Sequence, residues 1–188
     1  VIGSAPVGRE GVADWLASVG DAFGVGESAV TSAKNQFLPA MAAAIRKAPI
    51  IGRITMSGYE GSELLVARLL VECGADLRYV GSACPKTKWS DADREWLESK
   101  GVHVQFRASL EQDIAAMKEF SPDLAIGTTP VVQEAKEQGI PALYFTNLIS
   151  ARPLMGLPGP ASLSQMINSA IAQQARFDEM KEFFEGVG

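Results

Sequence analysis

Between residues 50 and 145, short apolar runs alternate with longer stretches whose apolar positions recur at helical spacing. The short runs are rich in β-branched and aromatic residues, and they read IIGRITM, DLRYVG, VHVQF, DLAIG and PALYF. Strands that alternate with helices predict a parallel sheet with right-handed crossovers and helices on both faces. We therefore predict an α/β protein, with a Rossmann-like three-layer α/β/α domain over residues 48–150 and a five-stranded parallel sheet.

The stretches between the strands carry signals for helix ends. A helix over 61–73 is apolar around most of its circumference, and Gly74 stands where a C′ glycine belongs. The following helices open with a variant capping box, a true S-x-x-Q box and a threonine before a proline. The variant capping box is Ser90 with Asp93, at the start of helix 91–100. The S-x-x-Q box is Ser109 with Gln112, and the threonine before a proline is Thr129 with Pro130.

Both flanks of this domain are predicted to be helical. Residues 1–47 hold two amphipathic stripes, the second kinked or split at Pro39, and form a remnant of, or a bridge to, a preceding domain. Residues 151–188 form a loop and a long helix that opens with an S-x-x-Q box at Ser162. Its apolar face continues for about six turns. Such a helix outreaches a small sheet and is predicted to pack across domains or subunits, although it could also lie along this domain.

Composition narrows the classes of function. The chain has 17 basic and 22 acidic residues, a net charge of −5 and no cluster of Lys or Arg, which argues against nucleic acid or an anionic membrane as a partner. No apolar run reaches the length of a membrane span, and no export signal is present. Two cysteines without C-x-x-C spacing favour a reducing cytoplasm. Because the chain starts without Met, we expect a fragment.

The turn SGYEGS after the first strand is the main candidate for a ligand contact. With the strand order 3-2-1-4-5, ligands bind at the switch point, which brings residues 57–62 next to residues 127–130. The turn lacks G-x-G-x-x-G spacing and a Walker lysine, and Glu60 would put a negative charge where a phosphate should rest. It is therefore either a plain glycine turn with Glu60 as a capping acid, or a contact for an apolar ligand through Tyr59 with Thr128 or Thr129 opposite.

Four further residues have both a structural and a functional interpretation. Cys84 follows the second strand and is either a small buried residue or a lone metal ligand, too few for an iron–sulfur cluster. His103, inside VHVQF, is interpreted as a core residue in preference to a catalytic base, and Cys73 as core. The stretch YFTNLISARPLMG, which contains Asn147, is predicted to be a long loop that serves either as a linker or as a ligand or subunit contact.

Longer runs carry a resemblance that covers essentially all 188 residues. They are GRITMSGYEGSELLVARLLVECGADLRYVGSACPKTKWSDADREWLESKGV, FRASLEQDI, PDLAIGTTPVVQEAKEQGIPALYFTNLISARPLMG and FDEMKEFFEGVG. Together they closely resemble the C-terminal part of the Y-subunit family of chlorophyllide a oxidoreductase, nitrogenase-like enzymes of bacteriochlorophyll synthesis. The resemblance implies a fold like that of nitrogenase component 1.

The resemblance also implies an activity and partners. The full enzyme would reduce the C7=C8 bond of ring B of chlorophyllide a, as a heterotetramer with a Z subunit that takes electrons from an ATP-hydrolysing X reductase. Its [4Fe-4S] cluster would have its ligands outside this chain, so none is expected to be bound here, and the fragment would be inactive alone.

A flat tetrapyrrole would suit a rim for which we name five substrate-binding candidates and no catalytic residue. The candidates are Tyr59, Glu60, Thr128, Thr129 and Asn147. The sheet alone would equally allow a stand-alone binding or transferase domain, or a structural domain for subunit assembly.

Overall fold

The computed structural model describes residues 5–187, which form a five-stranded sheet flanked by helices. In chain order the elements are α1 (Gly8–Phe23), α2 (Glu27–Lys47), β1 (Arg53–Gly58), α3 (Glu63–Glu72), β2 (Asp76–Ser82), α4 (Asp91–Ser99), β3 (His103–Phe106), α5 (Leu110–Phe120), β4 (Leu124–Gly127), α6 (Thr129–Glu137), β5 (Ala142–Tyr144), α7 (Phe145–Ala151), α8 (Gly159–Ile171) and α9 (Gln174–Val187). The predicted α/β class and all five predicted strands are confirmed.

The sheet is parallel throughout, with the order β3-β2-β1-β4-β5. This is the order on which the sequence argument for the ligand edge was conditional, and it puts the switch point between β1 and β4. Along β1 the side chains alternate between the faces, so Ile54 and Met56 enter the larger core while Thr55 and Ser57 belong to the opposite face.

The two faces of the sheet are packed differently. On one face, large aliphatic side chains from α3, α4 and α8 bury the strands, among them Leu69, Leu97 and Leu163. On the other face, α5 and α6 approach over small strand residues, and the cluster there consists of Met117, Ala125, Val131 and Ala135. Small residues on this face allow α5 and α6 to lie close to the strands.

Several of the predicted helix ends are confirmed. The capping box of α5 is complete, because the amide of Gln112 donates to the Ser109 hydroxyl at 3.3 Å and the amide of Ser109 donates to the Gln112 side chain at 2.9 Å. Gly74 follows α3 with a φ of +97°, as a C′ glycine should. Helix α6 begins one residue earlier than predicted, with Thr128 as its N-cap.

The predicted capping box at the start of α4 is wrong. Ser90 is the N-cap, but its hydroxyl bonds backwards to Thr87, whose amide donates to it at 3.0 Å and whose carbonyl accepts from it at 2.8 Å. Asp93 is occupied elsewhere, because it accepts from the Arg68 guanidinium at 2.6 Å. A long-range ion pair therefore replaces the local capping bond.

The single long C-terminal helix is also wrong, because the chain breaks at residues 172–173 into α8 and α9. Helix α8 begins at Gly159, so Ser162 lies inside it and forms no capping box. Helix α8 packs against the larger core through Leu163, whereas α9 packs along α6 on the opposite face and buries Phe177. A straight helix could not contact both faces, so the break is where the chain passes from one to the other.

Two further predictions for the flanks are corrected. Helix α2 runs unbroken through Pro39, so the predicted split is wrong, whereas a kink there stays a prediction. The carbonyl of Asn35, which this proline leaves unbonded, is on an exposed residue where water can bond it. The first part of the predicted long loop is helix α7, whose Phe145 and Leu148 are buried against the sheet. How residues 1–47 and 151–188 relate to other domains or subunits stays a prediction. Among the helices described, none combines the length and the apolar composition needed to cross a bilayer.

Candidate functional site

The carboxyl ends of β1, β4 and β5 meet at one edge of the sheet, where ligands of such folds bind. The register aligns Met56 of β1 with Ile126 of β4, and Gly127 of β4 with Tyr144 of β5. The residues that follow these strands, Tyr59 and Thr128 among them, therefore lie along the same edge. The strand pairing thus confirms the sequence prediction that the turn after β1 and the turn after β4 lie at the same edge of the sheet.

The five predicted substrate-binding residues are placed along this edge with their side chains largely accessible. Tyr59 is 58% exposed, Glu60, Thr129 and Asn147 are exposed, and Thr128 is half-buried as the N-cap of α6. None of the five side chains forms a hydrogen bond within residues 5–187, and their contact with a substrate stays a prediction.

The acid that organises the SGYEGS turn is Glu63, not Glu60. The Glu63 side chain is buried, with 1% of its surface exposed, and its carboxylate accepts from the amide of Glu60 at 2.6 Å and from the amide of Gly61 at 3.1 and 3.2 Å. The interpretation of Glu60 as the capping acid is thus wrong, because Glu60 contributes its backbone N–H and leaves its side chain in solvent. An acid in the first turn of a helix was the available signal for Glu63.

Glu63 also connects this turn to the next strand. The hydroxyl of Ser82, at the end of β2, donates to the second carboxylate oxygen of Glu63 at 2.8 Å and accepts from the amide of Cys84 at 3.2 Å. The thiol of Cys84 in turn points to the carbonyl of Tyr59 at 3.7 Å. These bonds hold the loops after β1 and β2 together. The prediction that Cys84 is buried is wrong, since the residue is only half-buried.

The residues present do not fit an iron–sulfur cluster. Cys73 is fully buried in the core, as predicted, and burial raises the pKa of its thiol to about 11. Cys84 lies at the opposite end of α3, next to Gly61, so the two thiols cannot ligate one cluster that needs four such ligands. Within the part of the chain that the structure describes, no group of three or more His, Cys, Asp or Glu side chains could hold a metal ion.

A cleft of about 520 Å³ opens beside Glu63, on the β2 side of the edge. Its volume is in the range of small-molecule sites, and its wall includes Cys84, Phe106 and Trp89, whose side chain is 74% exposed. The Lys88 ammonium lies 4.7 Å from the centre of the Trp89 ring. None of the five predicted residues lines this cleft, which sequence reasoning missed because α1 supplies part of its wall.

A second polar group lies beneath the same edge, under α5. The hydroxyl of Tyr79 donates to Asp113 at 2.8 Å, and burial raises the pKa of both groups above their ordinary values. Gly81 is required here, since a Cβ would overlap the Asp113 carboxylate and the Tyr79 hydroxyl. His103 stacks on Tyr79 with ring centres 5.7 Å apart, but it is exposed on the edge strand, so its assignment to the core is wrong.

Comparison with known families identifies the family of this chain. Residues 1–172 match the family described as nitrogenase component 1 type oxidoreductase. The chain belongs to that family. This agrees with the parallel sheet and with the fold that the sequence resemblance implied.

Two curated proteins are similar to this chain over all 188 residues. They are the chlorophyllide reductase 52.5 kDa chains of Cereibacter sphaeroides, 63% identical, and Rhodobacter capsulatus, 62% identical. The chain spans only 38% of the length of each. Subunit N of the light-independent protochlorophyllide reductase of a Bradyrhizobium species is 26% identical over 175 residues, which are 91% of this chain and 40% of that one.

A solved structure described as nitrogenase Cp1 at pH 6.5 shares the fold. It superposes with a TM-score of 0.65 at 20% identity, over 90% of this chain and 39% of that one. At this identity the similarity shows the architecture alone, and it confirms the fold like that of nitrogenase component 1.

Proposed function

We propose that this chain is part of the catalytic subunit of a chlorophyllide reductase. The observation that carries the proposal is the 63% identity to a chlorophyllide reductase chain across all 188 residues, against 26% to a protochlorophyllide reductase subunit. Because the chain spans 38% of such a subunit, the activity belongs to the whole enzyme and the piece is inactive alone.

The reaction and the partners follow from the resemblance of the long sequence runs to the Y-subunit family. The enzyme would reduce the C7=C8 bond of ring B in the cytoplasm, with this chain as the C-terminal part of the Y subunit. A Z subunit would complete the heterotetramer, and an ATP-hydrolysing X reductase would supply electrons. The [4Fe-4S] ligands would lie outside this chain, in keeping with the poor fit of Cys73 and Cys84.

The contribution of this chain would be a rim for one side of the flat macrocycle. The exposed ring of Tyr59 offers an aromatic surface for stacking, and the Thr128, Thr129 and Asn147 side chains offer hydrogen-bonding groups that no other residue among 5–187 uses. The Glu60 carboxylate would repel the acid group of chlorophyllide a, so that group is expected to point away from Glu60 and towards the threonines.

A segment exchange tests the assignment. The matching 38% of the Cereibacter sphaeroides 52.5 kDa chain is replaced by this chain, and the chimera is introduced into a strain that lacks that subunit. We expect bacteriochlorophyll synthesis to return, measured from pigment extracts. A control chimera carries the matching segment of protochlorophyllide reductase subunit N. A stable first chimera that forms the complex but leaves chlorophyllide a unreduced would contradict the proposal.

A titration tests the rim. Chlorophyllide a is added to this chain while its red absorption band is followed, for the natural sequence and for Tyr59→Ala. The matched control is Phe23→Ala, another exposed aromatic residue, which is 76% exposed at the C-terminal end of α1. We expect a band shift that Tyr59→Ala weakens and Phe23→Ala preserves. An equal shift in all three proteins would remove Tyr59 from the substrate contact.

A further inference from the structure

The turn between β1 and α3 already holds an anion, which the chain itself supplies. In nucleotide-binding α/β folds, backbone N–H groups at this turn and at the start of the following helix hold a phosphate. Here the N–H groups of Glu60 and Gly61 point instead at the Glu63 carboxylate, at 2.6 to 3.2 Å. The Glu63 carboxylate is buried against these two amides, so it takes the place that a ligand anion would occupy.

The surrounding backbone is built closely around this carboxylate. Gly61 has a φ of +80°, a conformation that glycine adopts at no steric cost, and it orients its N–H towards Glu63. A Cβ at Gly58 would lie 2.7 Å from a Glu63 oxygen and 2.9 Å from the Phe145 ring. A phosphate has no room beside the carboxylate, because Gly58 and Phe145 already close that side.

We propose that Glu63 is a positioning residue that acts as a built-in anion at this edge. It fills the amide site of the turn and so excludes phosphate-bearing ligands. Through Ser82 it also fixes the loop of Cys84, and together these contacts hold Tyr59 in place. A ligand at the β1 side of this edge is therefore recognised by the side chains of the rim and not by the amides of this turn. This inference goes beyond the proposed function and does not depend on the identity of the substrate.

The experiment removes the carboxylate and offers inorganic phosphate in its place. Backbone amide NMR spectra are recorded for the natural 188-residue chain, Glu63→Ala, Glu63→Gln and Glu60→Ala during a phosphate titration. In Glu63→Ala we expect saturable shifts at the amides of residues 60 and 61. The other three proteins should show none, because each still has an acceptor at position 63. The Glu60→Ala variant controls for the loss of a negative charge in the same turn.

Two results would overturn the inference. One is saturable phosphate binding at the amides of residues 60 and 61 in the natural chain, which would mean that the turn is not filled. The other is a folded Glu63→Ala variant whose amides do not respond to phosphate at all.

Hydrogen exchange covers the case in which Glu63→Ala does not fold. In Glu63→Gln the amide protons of residues 60 and 61 should exchange about tenfold faster than in the natural chain, because a neutral acceptor binds an N–H more weakly than a carboxylate. Unchanged exchange in a folded Glu63→Gln protein would contradict the role of the charge.

Discussion

The two halves of the carboxyl edge differ in how their polar groups are used. On the β1–β2 half, the carboxylate of Glu63 and the hydroxyl of Ser82 are buried and bonded within the chain. On the β4–β5 half, Thr129 and Asn147 are exposed, and α6 starts with no acid in its first turn and no bond from the Thr128 side chain. The polar groups of the β1–β2 half therefore support the fold, whereas those of the β4–β5 half can bind a ligand without first breaking hydrogen bonds within the chain.

The largest effect should come from removing the buried acid. Glu63→Ala leaves two amides and the Ser82 hydroxyl without their acceptor, so we expect the free energy of unfolding to fall by about 2–4 kcal/mol. Urea denaturation of the 188-residue chain measures this. Glu60→Ala, three residues away, should stay within about 0.5 kcal/mol. Equal losses in the two variants would show that Glu63 is not the acid that supports the β1–β2 half.

A smaller loss is expected from the residue that connects the two loops. Ser82→Ala removes one donor from Glu63 and the acceptor of the Cys84 amide, and should cost about 1–2 kcal/mol. It should also speed the reaction of Cys84 with a thiol reagent, while Cys73 stays unreactive until the protein unfolds. A Ser82→Ala protein with unchanged stability and thiol reactivity would show that Ser82 does not hold this loop.

The acid beneath the edge should make stability depend on pH. Burial raises the pKa of the Asp113 carboxyl above its ordinary value of 3.8. At pH values between the ordinary and the raised pKa, the folded state therefore holds a proton that the unfolded state has lost. The contribution of Asp113 to stability therefore falls as the pH rises through its raised pKa. Asp113→Asn cannot ionise, so its stability relative to the natural chain should increase across the same interval.

Unfolding curves at a series of pH values measure this difference. The matched control is Asp178→Asn, which makes the same substitution at an exposed position on α9. Parallel pH profiles for the natural chain and Asp113→Asn would mean that Asp113 is not a buried acid in solution.

The smallest effects on stability are expected on the open half. Thr129→Ala and Asn147→Ala should each change the free energy of unfolding by less than about 0.5 kcal/mol, because their side chains are exposed and form no hydrogen bond within the described residues, 5–187. If the rim binds substrate, the same variants should weaken the band shift of chlorophyllide a. Loss of stability without loss of binding would show that these side chains support the fold and do not face the ligand.

Local sequence patterns predicted strands and helix ends well where a single local interaction determines the structure of the segment. The alternation of β-rich and helical runs predicted all five strands, because strands buried on both faces need continuous apolar residues. The capping box at Ser109 was predicted because both of its bonds form within four residues. The identical pattern at Ser162 failed, because Pro160 and the burial of Leu163 against the core extend α8 to Gly159.

The candidate site was predicted less well, because its contacts join distant parts of the chain. Glu60 and Glu63 are both acids at the start of α3, and the contact of Glu63 with Ser82 on the neighbouring strand cannot be inferred from local sequence. His103 was assigned to the core because a lone histidine within a strand is more often a core residue than a base, yet β3 is an edge strand and leaves that side chain exposed.

Apolar periodicity and turn residues were sufficient to define the class of fold and the number of strands, because each element forms from interactions between near neighbours in the chain. The folded arrangement alone selected Glu63 as the buried acid, broke the C-terminal helix at residues 172–173 and left Tyr59 accessible. Each of these depends on which distant segments come into contact, and a one-dimensional pattern does not record that.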